Sequence, residues 1–243
     1  MTTAHQWELS IADAYANRYG DVAQDFLTLV VEPALAALDK KAVKLANDPD
    51  LAVATFQGFD HANLIVKTTM ALCLGIQSVW EQQLTGYLRN CAQSLELGDE
   101  IQRRLEKVKW GASMNSLFLD IRGLDFQSFD SYKRLDLLQT LGNVCRHGEG
   151  KSAMKLRKEY TELWPHWADT SKHPEIPLIY LAPVTGIRIP VSLLRDLVNA
   201  VVLFWIDMQR IGLESLSDQP AVDAEIARLQ ERRIPLLAIT SRC

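Results

Sequence analysis

One periodic run constrains this chain more than any other feature in it. From about His61 to Leu97, Leu72, Ile76, Trp80, Leu84, Leu88, Cys91 and Leu95 recur at steps of three to five residues. That spacing puts them on one face of a long helix. Gly98–Asp99 ends the run, and Asp99 can cap a short basic helix over 100–109 with Arg103, Arg104, Lys107 and Lys109.

The rest of the chain reads the same way. The first 50 or so residues predict two helices, broken at Gly20–Asp21 with Asp21 as N-cap, the second ending at Asn47–Asp48–Pro49. Gly111 and Gly123 bracket a further short helix. Asp130 or Ser131 caps one that carries Leu135, Leu138, Leu141 and Cys145 and stops near Gly148. Ser152 looks like a fresh cap for a helix to about Trp164. Five prolines (Pro165, Pro174, Pro177, Pro183 and Pro190) keep the next stretch from being helical throughout. Within it, Ile179–Leu181 and Ile187–Ile189 predict a small β-hairpin near 177–190. Val191, Leu194, Val198, Val201, Trp205 and Met208 mark an apolar central helix. A turn and cap at Asp218–Gln219–Pro220 leads to an amphipathic helix that Pro235 ends. The expected fold is all-α, one helical domain over 1–243. It comprises an N-terminal helical arm (1–57), a core bundle (58–217) and a C-terminal helix and tail (218–243).

Composition narrows the function classes. With 48% hydrophobic and 23% charged residues, the 243-residue chain can bury a sizeable core and is not a disordered protein. A net charge of −4 lacks the overall basic balance of a dedicated nucleic-acid binder, so any such contact must come from a local patch. The four cysteines, Cys73, Cys91, Cys145 and Cys243, form no CxxC motif and read as reduced thiols of a cytoplasmic protein. The N-terminus has no secretory pattern, and no run approaches 18 uninterrupted apolar residues, so no membrane partner is expected. His166, His173, Glu159 and Glu162 give only fragments of a metal-ligand pattern, and neither metal nor cofactor is expected. No nucleophile elbow and no phosphate loop occur; Gly148–Ser152 has the ending of a phosphate loop but follows a helix. The Trp164/Trp167 pair reads as packing more readily than as a stacking platform for bases.

The remaining candidate is Asn143–Val144–Cys145–Arg146–His147–Gly148. Spacing alone favours a helix end here: cations suit the negative end of the helix dipole, and Gly148 suits a left-handed cap. Asn143-x3-His147-Gly148, continued by Glu149-Gly-Lys-Ser152, also resembles the marker motif of the HEPN superfamily. Trp80-Glu-Gln-Gln-Leu84, Glu162-Leu-Trp-Pro165 and Ala200–Trp205 extend the likeness over about two-thirds of the chain.

The resemblance implies a HEPN-like helical bundle acting as a homodimer. It also implies metal-independent endoribonuclease activity in a toxin–antitoxin or phage-defence setting, with RNA or a nucleotide and an antitoxin protein as partners. In such proteins the His assists proton transfer during attack by the RNA 2′-hydroxyl, and an Arg stabilises phosphate charge. Carried onto this chain, His147 is the general acid/base, Arg146 the phosphate contact and Asn143 the group that orients the imidazole. The family's Arg position, five before the His, is Gly142. Arg146 lies four residues on, along the same stripe and about 5–6 Å nearer the helix end. Lys151, Lys155, Arg157 and Lys158, against the single acid Glu149, offer either a phosphate-binding patch or an ordinary solvated face. Two alternatives stay open: a non-catalytic interaction module, and a small-molecule-binding bundle using the aromatic loop Trp164–Tyr180.

Overall fold

Helices in this chain begin and end where side chains or glycines take up the free backbone groups of the terminal turns. The computed structural model describes residues 9–167, 178–216 and 220–240. Ser10 starts α1 (Ile11–Ala16): its hydroxyl accepts from the Ala12 N–H while Asp13 accepts from the Ser10 N–H, a reciprocal capping box. Then come α2 (Tyr19–Phe26), a π-helical turn (Leu27–Val31) and α3 (Glu32–Ala46). Asp50 accepts from the Ala52 and Val53 N–H groups at 2.9 and 3.2 Å. That cap starts α4 (Leu51–Ser94) ten residues before the periodic run predicts. Next are α5 (Asp99–Lys107), α6 (Ala112–Arg122), α7 (Tyr132–His147) and α8 (Lys151–Glu159). The last two are α9 (Val191–Glu214) and α10 (Pro220–Thr240). The protein is all-α, with no strand among the described residues.

Several local expectations are corrected. The break before α2 falls at Asn17–Arg18, and Gly20 and Asp21 lie within its first turn. Gly20 packs closely: a Cβ there would meet Trp205 and Val202 at 3.7 Å. Ser152 lies inside the first turn of α8, whose N-cap is Gly150. α10 continues through Pro235, at an exposed position where the missing N–H leaves a carbonyl that water can reach. The hairpin is replaced by two 3-10 turns, Leu178–Leu181 and Val184–Gly186. The backbone groups that would pair across it go elsewhere. The Arg188 N–H donates to the Leu163 carbonyl at 2.7 Å, and the Pro183 carbonyl accepts from Trp164 Nε1 at 3.0 Å. Asp218 and Gln219, expected as a cap, lie outside the described residues.

The chain divides into two compact units. The first comprises 1–24, 78–136 and 196–243; the second comprises 25–77 and 137–195. The first is built on aromatic packing. Trp80, fully buried, meets Phe204 edge-on at 4.9 Å and Trp205 at 5.9 Å, and Phe126 lies 5.4 Å from both Phe204 and Trp110. Such edge-to-face pairs add to the burial of large side chains. Gln83 ties the cluster together, accepting from Trp205 Nε1 at 3.0 Å and donating to the Tyr19 carbonyl at 3.0 Å.

The second unit is packed mainly by aliphatic side chains around Trp164. Leu141, Val144, Leu156 and Leu163 are buried there, and His61 on α4 reaches the Leu38 carbonyl on α3 at 2.8 Å. Among the described residues, α4 is long and apolar enough to cross a membrane by length and composition, with mean hydropathy 1.3 over its most apolar 18 residues. Its later residues Trp80, Leu84, Tyr87 and Leu88 are buried in protein.

Candidate functional site

The last turn of α7 is held by what lies before it. Leu141, Gly142 and Val144 are buried, while Asn143 is half-buried and Arg146 and His147, in the last turn, are exposed. Gly148 closes the helix at φ 71°, its N–H donating to the Val144 carbonyl at 2.9 Å. This is the left-handed cap that the glycine predicts. Among the described residues no hydrogen bond joins Asn143 to His147.

Gly142 has a steric reason to be glycine. The Gln77 side chain, fully buried, crosses directly above it. A Cβ at position 142 would lie 2.0 Å from Gln77 Oε1 and 2.2 Å from its Cδ, far inside contact distance. Arg146 Nη2 donates to the same Oε1 at 3.3 Å. The guanidinium is thus drawn back along α7 toward the level of Gly142.

Glu149 organises the turn into α8. Its two carboxylate oxygens accept from Arg157 Nη2 at 2.6 and 2.7 Å, and Oε1 also accepts the Val184 N–H at 2.9 Å. The hydrogen bond from Arg157 holds the Glu149 carboxyl below its ordinary range, with the Val184 N–H adding to it. Arg157 itself is 4% exposed and lies over the Trp164 ring, 5.5 Å from its centroid. This corrects its assignment to a nucleic-acid face. Ala153, Leu156 and Arg157 form the buried side of α8, so this arginine ties α8 to the turn before it. Of the other candidates, Lys151 and Lys158 are exposed and Lys155 is half-buried.

The remaining expectations divide. Trp164 is fully buried and Gly186 packs against it and Trp167, so Trp164 cannot stack bases. His166 is exposed, while His173 and residues 168–177 of the aromatic loop lie outside the described residues. Among the described residues no group of three or more His, Cys, Asp or Glu side chains could hold a metal ion. Two residues escape sequence reasoning. Gln77 gives no motif signal, though it follows the stripe residue Ile76. Cys73, buried on α4, is hydrogen-bonded to half-buried Cys145 on α7.

Fold and site together define an all-α protein with an exposed Arg–His pair at a helix end, backed by a buried carboxamide. No protein-family model, no curated protein and no solved structure matches the chain.

Proposed function

We propose that this chain is a HEPN-like RNA-binding protein that acts as a homodimer through the last turn of α7 and cleaves RNA without a metal. The observation that carries this reading is the side-by-side exposure of Arg146 and His147 beside an acid already neutralised within the protein. Glu149 is the one carboxylate between Arg146 and Lys158, and Arg157 pairs with it. The charged groups that face solvent along that stretch are Arg146, His147, Lys151 and Lys158, with Glu149 also exposed but paired to Arg157, and the four basic groups suit a phosphate chain. The uncapped N-terminus of α8, with Gly150 at its N-cap, favours an anion in the same place. In this reading His147 moves the proton during 2′-hydroxyl attack and Arg146 offsets charge on the phosphate. RNA, and an antitoxin protein that restrains the activity, are the partners the reading calls for, in the cytoplasm.

The test uses purified full-length protein, mixed RNA and a chelator. Wild type is compared with His147→Ala and Arg146→Ala for cleavage and for RNA binding. Cleavage by wild type that both substitutions reduce at least tenfold supports the enzyme. Equal cleavage by all three proteins, or neither cleavage nor binding by any, overturns it.

One observation favours a second reading, a non-catalytic RNA-binding or dimerisation module. Gln77 fills the space beside Gly142 where the family's arginine would stand. RNA binding without cleavage, weakened by Arg146→Ala and Lys151→Ala, is the outcome that selects it.

A further inference from the structure

α4 and α7 meet closely where Gln77 crosses Gly142. One turn back along α4 from Gln77 is Cys73, and one turn forward along α7 from Gly142 is Cys145. The two thiols, both reduced, lie within hydrogen-bonding reach of each other across this contact. Cys73 has no exposed surface, while Cys145 is half-buried, one residue before Arg146. Cys145 is thus the more open of the two residues and Cys73 the sheltered one.

We propose that Cys145 and Cys73 form a peroxide-responsive pair, with Cys145 the reactive thiol, Cys73 the resolving thiol and a reversible α4–α7 disulfide the product. The oxidant is a hydroperoxide. The Cys145 thiolate attacks the peroxide, forming an S–O bond as the O–O bond breaks, and the departing oxygen leaves as water or an alcohol after protonation. Cys145 is now a sulfenic acid, oxidised by two electrons, and the peroxide is reduced. Cys73 then gives up its proton and attacks the Cys145 sulfur; the S–S bond forms, the S–O bond breaks and the oxygen leaves as water.

The difference in burial assigns the order, and the local chemistry agrees with it. The hydrogen bond from Cys73 pulls the Cys145 thiol below its ordinary value, whereas the same bond, with burial, pushes Cys73 well above its own. Cys91 is the internal control. It is fully buried, its Sγ accepts from Ser10 Oγ at 3.7 Å and Arg122 Nη1 at 3.8 Å, and burial pushes its thiol up.

The experiment treats reduced full-length protein with low hydrogen peroxide, blocks the remaining thiols with iodoacetamide and maps tryptic peptides by mass. Cleavage after Lys67, Arg89, Arg103, Arg134 and Arg146 separates Cys73, Cys91 and Cys145 into the peptides 68–89, 90–103 and 135–146. The expected product is 68–89 joined to 135–146, lighter than the two reduced peptides by two hydrogens and released by dithiothreitol. The Cys91 peptide stays fully alkylated. In Cys73→Ala the linked peptide disappears and dimedone labels Cys145; in Cys145→Ala, Cys73 stays unmodified. A different pairing, oxidation of Cys91 at the rate of Cys145, oxidation of Cys73 in Cys145→Ala, or no linkage in wild type overturns the proposal.

Discussion

Each unit contains a buried arginine at the end of a short helix, and the two are built from the same parts. Arg122 closes α6 at 2% exposure, lies 5.7 Å from the Tyr87 ring centroid and pairs with Asp13. Arg157 closes α8 at 4% exposure, lies 5.5 Å from the Trp164 centroid and pairs with Glu149. They differ in reach. Asp13 and Arg122 stand 109 residues apart, so their bond forms only when the first unit is assembled. Glu149 and Arg157 stand eight residues apart, so theirs shapes a local turn. They differ in shelter too: the Asp13 side chain is 16% exposed and the Glu149 side chain 59%. The first pair belongs to the foundation of the fold. The second sets the backbone beside the candidate site and leaves its carboxylate open to water.

Removing Asp13 should separate the two most sharply. Its Oδ1 takes the Arg122 Nη2 at 3.3 Å and the Tyr87 hydroxyl at 2.7 Å, and its Oδ2 completes the cap of α1. Asp13→Ala takes the Asp13 carboxylate away from a buried guanidinium and a buried tyrosine hydroxyl, at a cost of about 3–5 kcal/mol. Urea unfolding followed by circular dichroism reads this as a large drop in midpoint; a drop under about 1 kcal/mol contradicts the foundation role.

Glu149→Ala should cost less, about 1–3 kcal/mol, because water that now reaches the carboxylate can reach Arg157 in its place. The loss should be local. Hydrogen exchange should speed up at the Val184 N–H, which loses its acceptor, and stay unchanged at α6. Faster exchange spread across both units would dissolve the distinction.

Gly142→Ala is a smaller, signed test. Alanine gains about 1 kcal/mol over glycine in a helix interior. Here the new methyl strikes Gln77, and overpacking of this kind costs about 1–3 kcal/mol, so a net loss of about 1 kcal/mol is expected. In a Gln77→Ala background the same substitution should turn stabilising. A double-mutant cycle without that change of sign would remove Gln77 as the reason for the glycine.

These residues also mark how far the sequence could be read. The stripe from Leu72 to Leu88, the glycine brackets of α6 and the cap at Gly148 follow from local rules, and the structure keeps them. The early start of α4 was written in Asp50, a capping residue that carries no hydrophobic period. The hairpin failed because its backbone partners, Leu163 and Glu149, come from elsewhere in the chain, and alternation within 177–190 cannot reveal them. At the candidate site, Arg146 and His147 were legible as residues. The inward turn of Arg157 was not, since it depends on which face of α8 is buried. Gln77 and Cys73 were hidden for the same reason: a helix's partner across a packed interface leaves no mark in its own spacing.

The pH dependence gives the finest version of the comparison. Glu149 has its carboxyl held low in the folded protein, chiefly by the hydrogen bond from Arg157. Folding therefore binds fewer protons at this group than the unfolded chain does, so its contribution is complete above the ordinary glutamate range near 4.3. It fades as pH falls through the folded-state value. Asp207 runs the other way: burial raises its carboxyl despite Arg233 Nε at 2.6 Å, so the folded state favours its protonated form. Its contribution is greatest at low pH and declines as pH rises through the ordinary aspartate range to the folded value. Stability measured from pH 7 to pH 3 should show wild type losing its advantage over Glu149→Gln in acid. Over the same range the difference between wild type and Asp207→Asn should shift in favour of wild type. Parallel curves for the two comparisons would mean that the sheltered and the solvent-facing carboxylates are not distinguished by their surroundings.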